Sequence, residues 1–105
     1  MGKRRDEDFD VSVLDKASTG SINMRKYKVI LHNDDYTTFE FVTQVLVDIF
    51  SKSPEEAQQI TLLVHFKGQG IAGIYSKELA ETKVMQVHGA AQLAGFPLRA
   101  SIQAV

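Results

Sequence analysis

The sequence predicts an α/β (α+β) fold: a two-layer β-α-α-β-α-β domain in which a small three-stranded sheet packs on three helices behind a flexible N-terminal tail. Three observations carry that reading. Apolar residues alternate with a period of two at both ends of residues 26–105. Two capping signatures, Thr37-x-x-Glu40 and Ser53-x-x-Glu56, open amphipathic stretches between them. A third helical stretch stops at Gly95 with Pro97 just beyond. One sheet covered by helices on one side buries these faces most simply.

Taken in order, residues 1–25 mix Lys3, Arg4, Arg5, Lys16 and Arg25 with Asp6, Glu7, Asp8, Asp10 and Asp15. With few apolar side chains and no sustained period, they are expected to form a mobile extension. Tyr27, Val29 and Leu31 alternate with Lys28 and His32 as a first strand. Turn-forming Asn33, Asp34 and Asp35 then precede the Thr37 cap of a first helix. Its stripe is Val42, Val45, Leu46, Ile49 and Phe50, at i, i+3, i+4, i+7 and i+8. Ser53 caps a second helix, and Pro54 occupies its first position, where a missing N–H costs nothing. Ala57, Ile60 and Val64 continue it to about Phe66. After the turn KGQG, residues 71–75 read as a short buried strand. Ser76 then opens a helix bearing Ala80, Val84, Val87, Ala91 and Ala94 on one side. Leu98, Ala100, Ile102 and Ala104 alternate as a last strand.

Composition narrows the function. Twelve Lys and Arg against thirteen Asp and Glu, a net charge of −1, leave no electrostatic footprint for nucleic acid. The absence of cysteine removes disulfide frameworks, thiolate metal sites and cysteine nucleophiles. No apolar run reaches the ~18 residues of a membrane span, so neither membrane nor export is expected and the cytoplasm is the default.

The densest polar cluster is His32-Asn33-Asp34-Asp35, between the first strand and the first helix. Three readings stand side by side. Asn and Asp favour turns through local hydrogen bonds. Paired carboxylates with His65 suggest a metal site, hence a small metal-dependent hydrolase using Asp34, Asp35 and His65, although the ligand count is short. Two carboxylates and an amide oxygen also form an acceptor-only set suited to an ammonium group. His65, among Leu62, Leu63, Val64 and Phe66, is by itself most simply a packed core histidine. Ser76 is a helix cap, and no nucleophile elbow or phosphate loop occurs.

The segments YKVILHNDDYTTFEFV, LLVHFKGQGIAGIYS, ELAETKV and a late PL, in that order and spacing, resemble the ClpS family. Those are small adaptors that recognise destabilising N-terminal residues (Phe, Tyr, Trp or Leu) and deliver the bearer to a Clp-type AAA+ unfoldase, ClpA-like or ClpC-like. The resemblance implies no catalysis and no cofactor or resident metal. It places an α-amine clamp on Asn33, Asp35 and His65, with Asp34 and Thr37 beside it along the peptide backbone. The side-chain pocket falls on Thr38, Phe39, Val42, Thr61, Val64 and Leu98. Unfoldase docking falls on Glu78, Glu81, Thr82 and Lys83, which from charge alone read as a solvated helix face. Where the family usually has Pro-Met after the Thr, this chain has Thr38-Phe39, and Thr61 replaces a larger residue such as Met. A monomer in a bacterial-type cytosol is the accompanying expectation.

Overall fold

A computed structural model describes residues 25–105, and the expected N-terminal extension falls almost wholly outside them. The elements follow the expected order: β1 (Tyr27–His32), α1 (Phe39–Asp48), α2 (Pro54–Lys67), β2 (Gln69–Tyr75), α3 (Lys77–Ala94) and β3 (Arg99–Ala104). The strands form one antiparallel sheet of order β2-β1-β3. β1 is therefore central, and its period of two decides which face meets the helices.

Val29 and Leu31 are fully buried and join Val42, Val45, Leu46, Ala57, Val64, Ala80, Val87, Ala91 and Leu98 in one core. α1 packs on α2, α2 on β2, and α3 lies along all three strands. The stripe of α1 is as expected, except that the helix ends before Ile49 and Phe50, which continue its packing from the following turn. Ala94, assigned to the inner side of α3, is exposed, because it occupies the last turn before the left-handed Gly95.

Two local expectations need correction. The cap of α1 is Thr38, whose Oγ1 accepts from the Phe41 N–H at 3.1 Å, because Thr37 is drawn away by Asp34. β2 is not a buried strand. It begins inside the KGQG turn, and only Ala72 along it is buried, while Ile71 and Ile74 are half exposed. The cause is a bulge: Gly73 stands opposite Val29 and Ile71 opposite Ile30, so Ala72 is the extra residue. A side chain at Gly73 would collide with the ring of Tyr75, which lies over it.

Candidate functional site

The site is built where the end of β1 meets the end of α2. Asn33 donates its backbone N–H to the Gly68 carbonyl at 2.9 Å. Gly68 closes α2 in the left-handed conformation (φ 91°), which glycine adopts without a Cβ clash, and donates its own N–H to Val64 at 3.0 Å. These bonds hold the segment after β1 against the last turn of α2, the turn that carries His65.

Asp34 organises that segment. Its Oδ1 accepts from the Tyr36 N–H at 2.8 Å and the Thr37 N–H at 2.7 Å, and its Oδ2 accepts from the Thr37 hydroxyl at 2.7 Å. Partial burial pushes the carboxyl up, but the bonds from Thr37 and Tyr36 outweigh it and hold Asp34 below the ordinary carboxylate range. Asp34 is thus an ionised anchor for the loop, with its acceptors largely consumed. Thr37, having donated its hydroxyl proton, keeps oxygen lone pairs.

Between this loop, α1 and α2 lies a cleft of about 450 Å³, lined by Asn33, Asp34, Asp35, Thr37, Phe39, Val42, Thr61, Leu62, Val64 and His65. That volume falls within the ~300–1,000 Å³ of small-ligand sites. Asn33, Asp35 and His65 are exposed at it, whereas Val42, Thr61 and Val64 are buried. Acceptors and an apolar wall therefore share one cavity. His65 is not a packed core histidine: its ring is exposed, 4.9 Å from the Phe66 ring and edge-on to it.

Not every expected residue lies here. Thr38 is occupied in capping α1, and Leu98, 3% exposed, belongs to the core; neither lines the cleft. Leu62 lines it, half exposed, and was missed because it follows Thr61 off the buried stripe of α2. Thr43 was missed as well. Its hydroxyl contacts Thr61 Oγ1 at 2.9 Å and the Phe39 carbonyl at 2.9 Å, while Thr61 reaches the Ala57 carbonyl at 2.7 Å. Two hydroxyl protons serve these three contacts, so Thr61 has no proton left to donate to a guest. No signal short of the α1–α2 packing itself pairs these two threonines.

On α3, Glu78, Glu81 and Thr82 are exposed, with Thr82 donating to the Glu78 carbonyl at 3.1 Å. Lys83, half-buried on the same helix, also has a role within the fold. Its Nζ donates to the Ile49 carbonyl at 2.6 Å and lies 5.7 Å from the centre of the Tyr75 ring, closing the C-terminus of α1. The hydrolase alternative loses its ligand set, since among the described residues no three His, Asp or Glu side chains gather around a common point. Among the same residues no helix is long and apolar enough to cross a membrane.

A family model described as ATP-dependent Clp protease adaptor protein ClpS matches residues 23–101. A protein of Oleidesulfovibrio alaskensis named ATP-dependent Clp protease adapter protein ClpS is 56% identical over 81 residues, 77% of this chain and 78% of that one. A Syntrophus aciditrophicus protein of the same name is 44% identical over 103 residues, 98% of this chain and 92% of its own. Among solved structures, Agrobacterium tumefaciens ClpS2 bound to L-phenylalaninamide superposes with a TM-score of 0.76 at 34% identity, covering 79% of this chain and all of that one.

Proposed function

The chain belongs to the ClpS family of Clp protease adaptors, and from that premise we propose that its cleft captures the first residue of substrates beginning with Phe, Tyr, Trp or Leu. The observation that carries this reading is the single cleft with exposed acceptors at Asn33, Asp35 and His65 and a buried wall at Val42, Thr61 and Val64. A protonated α-amine offers three donors. The Asn33 amide oxygen, an Asp35 carboxylate oxygen and a neutral His65 nitrogen accept one each. An N-terminal ammonium is the only main-chain group with that charge, so the clamp distinguishes a chain's start from its interior.

The guest side chain then enters among Phe39, Val42, Leu62, Thr61 and Val64. Thr37, with its proton held by Asp34, accepts from the N–H of the first peptide bond. That the neighbour from Agrobacterium tumefaciens holds phenylalaninamide, an aromatic side chain with an α-amine, supports the same division of labour. The bearer passes to a Clp-type AAA+ unfoldase through the exposed Glu78, Glu81 and Thr82 together with the half-buried Lys83 of the same helix. The adaptor contributes binding, without a catalytic step of its own, and works as a monomer in a bacterial-type cytosol.

Phe39, 41% exposed at the cleft, sets selectivity. Ring pairs add about 0.5–1.5 kcal/mol beyond area burial, a gain that Leu lacks. Affinities for peptides differing only at residue one test the proposal. Phe and Tyr are expected to bind ahead of Leu, and all well ahead of Ala, with Phe39→Met narrowing the gap. Equal affinity for Ala would remove the pocket. A Leu preference relieved by Phe39→Met would mean that the ring obstructs the guest.

A further inference from the structure

Thr61 is the one buried polar or charged side chain among the described residues, 3% exposed, and it lies on the wall of the cleft. A buried hydroxyl needs partners. Its proton goes to the Ala57 carbonyl and that of Thr43 to the Phe39 carbonyl, so the two oxygens meet at 2.9 Å with both protons turned back into the helices that carry them. What the pair retains is lone pairs: it accepts and cannot donate. The pair also sits at a definite depth. On α2, Thr61 precedes His65 by four residues, and on α1, Thr43 follows Phe39 by four. Four residues of helix rise ~6 Å. His65 and Phe39 are exposed, whereas Thr61 is buried and Thr43 half-buried, so both oxygens lie about one turn inward from the cleft mouth.

Resting on the reading of this cleft as an N-terminal residue site, we infer that the Thr43–Thr61 oxygen pair is an acceptor for a hydrogen-bond donor at the far end of the guest side chain, so that the cleft selects Tyr above Phe. With its α-amine at His65 and its side chain laid along α2 over Val64, a guest reaches the level of Thr61 one helical turn in. An aromatic ring with a para substituent covers that span. The Tyr hydroxyl carries a proton to an oxygen that has none to spare, which is the complementary half of a hydrogen bond. Phe fills the same space and leaves that acceptor without a partner from the guest. The preferred substrate is therefore a chain whose first residue joins a large ring to a donor at its tip, and Thr61 is the residue that reads the tip.

The test titrates the full chain with peptides identical except at residue one, which is Tyr, Phe, para-fluorophenylalanine or Ala. The wild-type chain is expected to bind the Tyr peptide about three- to tenfold more tightly than the Phe peptide, the scale of one hydrogen bond. The fluorinated ring, which fills the para position without a donor, gains nothing over Phe. Thr61→Val, of nearly the same shape, abolishes the Tyr preference while Phe affinity stays within twofold, and Thr61→Ser, which restores a hydroxyl, keeps it. Equal or weaker binding of Tyr than Phe by the wild-type chain, with Phe still well ahead of Ala, overturns the acceptor alone. A fluorinated peptide that matches Tyr assigns the gain to filled space and overturns it too, as does a Tyr preference unchanged in Thr61→Val. Peptides that bind alike whatever their first residue overturn the reading of the cleft, and the acceptor with it.

Discussion

The cleft end of the molecule and the seam where α3 meets β2, β3 and the end of α1 contain similar residue types and use them in opposite ways. In the seam, polar groups are consumed. Lys83 closes α1 through the Ile49 carbonyl at 2.6 Å, and His88 Nε2 accepts the Ala100 N–H at 3.0 Å, covering a backbone donor of an edge strand. Burial pushes the Tyr75 hydroxyl above its ordinary range, and its ring lies 5.7 Å from Lys83 Nζ. At the cleft, the side chains of Asn33, Asp35 and His65 make no hydrogen bond to another described residue and face solvent. A histidine with its acceptor filled is part of the fold, and one with its acceptor open is available to a ligand.

That contrast is best broken by pairing a stability measurement with a binding measurement. Asp35→Ala and His65→Ala are each expected to cost about 1.5–3 kcal/mol of binding, roughly 10- to 150-fold in affinity for a Phe-initiated peptide. Both leave unfolding free energy within about 0.5 kcal/mol of wild type, as for exposed positions outside structural networks. Calorimetric titration and denaturant melts read the two quantities. A variant that unfolds more readily while still binding would move its residue from the cleft class to the seam class.

Lys83→Met is the mirror image. Losing a half-buried charged donor to the α1 terminus should lower stability by about 1.5 kcal/mol, several degrees in thermal midpoint, and leave peptide affinity within twofold. Binding lost in step with stability would mean that the two regions are not separable.

Asp34 lies at the cleft but, like the polar groups of the seam, is consumed by the fold, and acid reveals its share. Its folded pKa lies below the ordinary 3.8, so its contribution to stability is fully present above that value and is lost as pH falls through the lower folded one. Asp34→Asn should therefore cost about 1 kcal/mol at neutral pH, a difference that shrinks in denaturant melts run well below the ordinary value. A wild-type advantage that persisted undiminished in acid would show that ionisation is not what organises the loop.

The smallest effect belongs to Thr61→Val. Because two protons serve three contacts, removing one hydroxyl leaves Thr43 with the Phe39 carbonyl, and the Ala57 carbonyl remains within a helix. Stability should fall by about 0.5 kcal/mol and Phe-peptide affinity change by less than twofold. A larger loss of affinity would give Thr61 a direct polar role toward the guest.

Element order and most of the core were legible because period and caps are local signals. Val29 and Leu31, the Ser53 cap and the Gly95 stop all follow from neighbours within a few residues. The misplaced features depend on contacts distant in sequence or on competition between neighbours. Asp34 outcompetes the helix for Thr37 and moves the cap to Thr38. The bulge that exposes Ile71 and Ile74 arises in the pairing of β2 with β1, which lies far away in sequence. The cleft residues were legible as an acceptor set, and His65 as a possible companion of the carboxylates, but their union with an apolar wall came only from the family resemblance. The bond from Lys83 to the Ile49 carbonyl was not legible, since it depends on where α1 ends in space.

The central claim is that the cleft recognises an α-ammonium together with the side chain beside it. The direct test is to titrate the full chain with one Phe-initiated peptide and with its N-acetylated counterpart, identical in every side chain. Acetylation removes the charge and two of the three donors while leaving the ring to fill the pocket. A loss of affinity of about 100-fold or more is the expected result, on the scale of two charged hydrogen bonds. Binding of the acetylated peptide within threefold of the free one would contradict the account, and would leave Asn33, Asp35 and His65 without the role assigned to them.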